Sequence, residues 1–198
     1  MEPISSHQFV FLSGSLPLDL INTEVAVRGK RYDLLAAPDD AMTWWRLAAA
    51  NHPDASLGEI VAGEAVQFLA ALRALRTALR TMFSAIIDNQ PMPPDAVAVL
   101  NRVLDSGWFQ LSVSVAGSPR LERNVRDPGP DGRLFPIAWA AAELVTGGGL
   151  RRLHRCQNDR CVLLFYDETR SATRRWCSVA CMDRARSRRR HRQQKAER

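Results

Sequence analysis

All four cysteines of this 198-residue chain fall in its last 43 residues. They stand as Cys156-Gln-Asn-Asp-Arg-Cys161 and Cys177-Ser-Val-Ala-Cys181, with fifteen residues between the pairs. Two close thiol pairs separated by a short span are what a tetrahedral zinc site needs, four sulfurs at about 2.3 Å from one ion. Two disulfides or four unrelated thiols are the alternatives. Disulfides require an oxidising compartment, and Met1-Glu-Pro-Ile-Ser-Ser-His7 has no positively charged stretch of the kind that opens an export signal. The spacing therefore points to one zinc held by Cys156, Cys161, Cys177 and Cys181. Four thiolates close the coordination shell, leaving no place for water, so a structural ion is expected. His154 and His191 flank the cluster and are not needed as ligands.

The span between the pairs fits a small finger. Val162-Leu-Leu-Phe-Tyr166 is apolar and β-favouring. Asp167 to Ser171 reads as a turn, and Thr173 to Cys177 as the returning strand. Ser178 stands where an N-cap opens a helix, with Cys181 in its first turn. Knuckle, hairpin and helix in that order make a treble-clef-like layout.

Arg174-Arg-Trp-Cys177, followed by Ser178-Val-Ala-Cys181-Met-Asp-Arg184, resembles the end of the CGNR zinc-finger family. The family's Cys-Gly-Asn-Arg stands here as Cys181-Met182-Asp183-Arg184, keeping its first and last letters. Near the other end, Leu18-Asp19-Leu-Ile-Asn22-Thr23 with Arg28 after it is similar to the opening of the helical ABATE domain found in those bacterial proteins. The resemblance implies a stress-induced transcription regulator. Read as residues, Asp19, Asn22 and Thr23 fall on one face of a helix among leucines. They form either a buried hydrogen-bonded network or, with Arg28 for an anion, a ligand pocket.

Charge divides the chain. Residues 151–198 hold 15 Lys+Arg and 5 Asp+Glu, a charge of +10, and the remainder 12 and 16, a charge of −4, which together give the net +6. A basic end on an acidic body points to a polyanion partner. Arg174, Arg175, Arg184, Arg186, Arg188, Arg189, Arg190 and Arg192 are the candidate nucleic-acid contacts, and Trp176 either packs the finger or stacks on a base. Beyond Ala185 no apolar residue follows until Ala196, so a helix there has no face to bury and its far part should fray. No apolar run reaches the roughly 18 residues that span a bilayer.

The body reads as helices. Phe9 to Leu12 suggests a short strand. A helix is expected from about Ala41 to Ala50 after Asp39 or Asp40, with Trp44 and Trp45 pointing different ways. One long helix from Ser56 to Ile87 is expected to bend near Gly63 and to carry Arg73, Arg76 and Arg80 on a solvated face. Another helix starts at Asp95. Phe109 to Val115 alternates like a strand, with Arg120 to Val125 as its partner. Leu134 to Thr146 is a last apolar helix, and Gly147 to Gly149 either a hinge or simply the end of that helix.

The expectation is an α+β, mostly helical protein with a small hairpin. Residues 1–149 form an ABATE-like domain for ligand sensing or dimerisation, and residues 150–198 a four-cysteine finger with a basic helix. A zinc-dependent DNA-binding regulator is expected, cytoplasmic, not membrane-bound and not an enzyme. A small-molecule effector and a homodimer are its further expected partners. A zinc-stabilised protein-interaction module is the alternative, and an enzyme or sensor using Asp19, Asn22 and Arg28 a third.

Overall fold

The computed structural model describes residues 8–196, apart from 13 and 116. In chain order it forms α1 (Leu16–Ile21), a hairpin of β1 (Glu24–Val27) and β2 (Lys30–Asp33), α2 (Pro38–Asn51), α3 (Ala65–Ile87) and α4 (Pro94–Leu104). A second hairpin follows, β3 (Gly107–Val113) and β4 (Pro119–Val125), then α5 (Pro130–Thr146). The finger contains β5 (Leu153–Arg155), β6 (Leu164–Tyr166) and α6 (Val179–Ala196). Each pair of strands is a separate antiparallel two-stranded sheet. A mostly helical N-terminal region thus precedes a cysteine-bearing finger.

α3 is the axis of the body. Phe68, Leu72, Leu75, Leu79 and Phe83 are fully buried along it at three- and four-residue steps, the stripe of a core-facing helix. α1, α2, α4 and α5 all pack on it. α2, α4 and α5 each have proline in the first turn, where a missing N–H costs nothing. Both Trp44 and Trp45 are buried, and the Trp45 indole donates to Gly58 O at 2.7 Å.

A second apolar cluster joins the two ends of the chain. Val25 and Leu34, which lie on and beside the first hairpin, pack with Cys156, Leu163, Phe165, Cys177 and Cys181.

Several expectations need correction. Phe9 to Leu12 is not a strand; these side chains pack over the apolar clusters, and Leu12 N donates to Asp19 Oδ1 at 3.3 Å. The long helix starts at Ala65 rather than Ser56. The carbonyls of Ser56, Gly58 and Glu59 accept bonds from Arg123, Trp45 and Arg133, and Ser56 has φ +49°. Those carbonyls are therefore turned away from any helical ladder.

Arg73, Arg76 and Arg80 do not form a solvated face. Arg76 is 3% exposed and grips Asp33 with two bonds of 2.6 and 2.8 Å. Arg80 pairs with Glu24 at 2.7 Å and donates to Ile21 O and Val162 O. Arg73 donates to Leu35 O and Ala36 O. Helical spacing set them between apolar rows, but their acceptors come from the first hairpin, the segments flanking it and the finger, an arrangement the sequence reading lacked.

Within the finger, β6 pairs with β5, Leu153 against Tyr166, and Thr173 to Cys177 forms no strand. Buried Asp167 accounts for this, since it accepts from Thr169 N, Thr169 Oγ1 and Arg174 N and folds the chain into a loop. Burial alone would raise its carboxyl, yet these bonds outweigh it and hold the pKa below 3.8. α6 is helical to Ala196, further than expected. Its start is fixed, and arginine is a good helix former. Gly147 ends α5 as its C-cap, and Gly149 is packed rather than open, because a Cβ on it would lie 2.1 Å from the Tyr166 hydroxyl.

Candidate metal centre and basic face

The first thiol pair lies in the loop between β5 and β6. Cys156 N donates to Leu163 O at 3.0 Å, and Cys161 N to Asn158 O at 2.8 Å, which closes the knuckle. Asn158 is buried; its Oδ1 accepts from Arg160 N at 3.1 Å, and its Nδ2 donates to Cys181 O at 3.3 Å. The second pair sits at the head of α6. Ser178 Oγ accepts from Cys181 N at 3.2 Å as an N-cap, and Ser178 O accepts from Met182 N at 3.1 Å. Met182 and Asp183 thus lie in regular helix, and this turn does not demand the glycine of the family tetrapeptide.

The four sulfurs all lie within 4.8 Å of one another. Cys161 and Cys177 are 3.8 Å apart, Cys177 and Cys181 3.5 Å. A tetrahedron with 2.3 Å zinc–sulfur bonds has edges of about 3.8 Å, so the donor set fits one zinc ion. Holding all four as thiolates takes a cation. Hydrogen bonding with Cys161 lowers the Cys156 thiol to about 7. Bonding with Cys156 lowers Cys181 and raises Cys161 and Cys177. Without a cation, neighbouring sulfurs cannot all be thiolates. Cys177 N and Arg184 Nη2 point at Cys156 Sγ and Cys181 Sγ at 3.5 and 3.6 Å, supplying polar support from outside the cluster.

The candidate nucleic-acid residues separate into groups. Arg174 serves its own finger. It lies over the Phe165 ring at 4.9 Å and donates to Trp176 O at 2.8 Å and to Cys177 O. Trp176 is half-buried against the finger cluster. Arg175, Arg186, Arg189 and Arg190 are exposed. Arg184 turns back to Ala180 O at 3.0 Å, and Arg188 pairs with Asp159. The Arg192 side chain lies outside the described residues. The His154 ring packs against Phe165 at 5.7 Å.

Asp19, Asn22, Thr23 and Arg28 turn to different partners. α1 ends at Ile21, so Asn22 and Thr23 lie past the helix rather than on a face of it. Asn22 pairs with the Leu164 backbone in both directions, donating at 2.8 Å and accepting at 3.0 Å. It acts as a one-residue extension of β6. Thr23 Oγ1 donates to Leu20 O at 2.7 Å and accepts from Arg76 at 2.9 Å. Asp19, 1% exposed, meets His52 Nε2 at 2.7 Å. Arg28 sits at the tip of the first hairpin and lines a separate concavity beside the finger. Sequence reasoning missed His52, Asn158, Arg160 and Asp167. Asn158 had a signal, its place inside the knuckle; the contact of His52 is 33 residues distant and left none.

The profile of the ABATE family, described as "Putative stress-induced transcription regulator", matches residues 14–148, more than half of the chain. That of the CGNR zinc finger matches residues 152–195. Both descriptions are of a regulator and a finger rather than an enzyme. No curated protein matches the sequence. Among the described residues, no helix is long and apolar enough to cross a membrane.

Proposed function

The chain belongs to the ABATE family and ends in a CGNR zinc finger, and from that premise we propose that it is a cytoplasmic, DNA-binding transcription regulator of the stress-response type. Cys156, Cys161, Cys177 and Cys181 hold one structural zinc, and α6 is the element that meets the duplex. The charge pattern carries this reading: +10 beyond residue 150 against −4 before it, with Arg186, Arg189 and Arg190 exposed on a helix that starts at the metal cluster. Phosphate contact by such residues is electrostatic and independent of base sequence. Base preference falls to the exposed Arg175, close to the rigid helix start. The body, residues 1–149, senses a small molecule or forms a homodimer. An open cleft of about 1130 Å³ walled by His52, Arg123 and Trp139 supports the sensing role.

Duplex binding measured over a range of salt, with full-length protein and with residues 186–198 deleted, tests the reading. Full-length binding should weaken steeply, by about 0.9 log unit per phosphate contact per decade of salt. The deletion should flatten that slope and keep the zinc, since Cys181 lies upstream. Absence of duplex binding at low salt, or equal slopes, contradicts it. The second reading, a protein-interaction module, would then stand. It is favoured by the β3–β4 ribbon, which exposes Leu111, Val113 and Leu121.

A further inference from the structure

The first hairpin turns through Arg28 and Gly29, with Val27 paired to Lys30. Arg28 has φ +53° and Gly29 φ +86°, the pattern of a two-residue type I′ turn. Such turns favour Asn or Gly at the first position. An arginine held there costs about 1 kcal/mol or more and asks for a reason.

Its surroundings supply one. Arg28 lines a concavity of about 250 Å³ with Asn158, Arg160, Arg184, Ser187 and Arg188, and two metal-cluster cysteines, Cys161 and Cys181, form its inner wall. Three segments meet there: the hairpin tip of the body, the cysteine knuckle, and one face of α6, where Arg184 and Arg188 are four residues apart. The stem of Arg160 approaches Gly29, whose Cβ position is 4.0 Å from Arg160 Cγ and Cδ, so hairpin and knuckle are in contact. Among the described residues, neither Arg28 nor Arg160 has a carboxylate partner; Asp159, on Arg188, is the one acid paired within the group. Arg184 and Arg188 already have partners in Cys181 Sγ and Asp159, so the positive charge of Arg28 and Arg160 is what the hollow leaves to an incoming anion, and planar guanidinium forks suit phosphate oxygens.

We infer that this hollow is a phosphate seat, in which Arg28 of the body and Arg160 of the knuckle join Arg184 and Arg188 of α6 to clamp one backbone phosphate of a bound duplex. This rests on the nucleic-acid reading of α6 and adds a contact from the body. DNA then bridges the hairpin and the finger, and any movement of the hairpin is felt at the duplex.

Arg28→Gly is the decisive variant. Glycine takes a positive φ without strain, so the turn survives while the guanidinium is lost. Arg160→Gln is the second, and Arg46→Ala, an exposed arginine on α2 outside the hollow, is the control. All are measured on a short B-form duplex over a range of salt. Arg28→Gly and Arg160→Gln should each lower the salt slope by up to about 0.9, the share of the one phosphate they hold together, equivalent to at most about eightfold weaker binding at ~0.1 M salt. Arg46→Ala should match the unaltered protein. If the unaltered protein binds and Arg28→Gly binds with the same affinity and slope, the seat is overturned and the role of α6 stands. If the unaltered protein binds no duplex, both fall.

Discussion

Asn22 is buried, and its side chain closes a bond in each direction with the backbone of Leu164, 142 residues away. Removing it leaves a buried N–H and a buried C=O unpaired, at a cost of about 1–3 kcal/mol. Asn22→Ala should therefore lower the unfolding free energy measured in urea by that amount. Unchanged stability with loss of a bound metabolite would instead make Asn22 a ligand contact. The cysteines were legible because thiol spacing along the chain survives whatever fold surrounds it. The partner of Asn22 was not, since nothing local marks Leu164 as the strand it pairs with. Arg76 misled for a related reason. Its position between apolar rows of α3 is that of a boundary residue, and only Asp33, delivered by the first hairpin, decides that it points inward.

Elements with a strong period and clear ends were readable: α2 with Asp39 and Asp40 in its first turn, α4 after its prolines, and the β3–β4 ribbon, which pairs Gly107 with Val125 as expected to within two residues. The first hairpin was not read, because Arg28 occupies the turn position where Asn or Gly would have signalled it. Residues 56–64 were overread as helix because apolar spacing continues through them while their carbonyls are claimed by Trp45, Arg123 and Arg133. The three glycines after α5 looked like a hinge by composition alone. Gly149 has φ −92°, a value alanine adopts freely, so only contact constrains it. Gly149→Ala should destabilise by about 1–3 kcal/mol through overpacking against Tyr166. Tyr166→Phe, which removes the clashing hydroxyl, should restore part of that in calorimetric melts. If the alanine variant is as stable as the parent, the joint is loose after all.

At the scale of the whole molecule, the segments matched by the two families are built into each other. Asn22 pairs with Leu164, Arg80 with Val162 O, and Arg155 with Asp88 at 3.0 Å. Val25 and Leu34 belong to the finger's own core. α6 has no apolar face beyond Ala185 to hold it, so its order depends on its first turn: the Ser178 cap and Cys181 in the metal cluster. Metal binding and the folding of such a finger are one equilibrium. On the proposed reading, the arginines of α6 are therefore held in place for DNA only while the cluster is filled. The most direct measurement is duplex affinity at constant salt as zinc is stripped with a chelator and returned by titration. Stripping should weaken binding by about tenfold or more as the arginines lose their fixed geometry, and one equivalent of zinc per chain should restore it. Affinity that is the same with and without zinc would contradict the account.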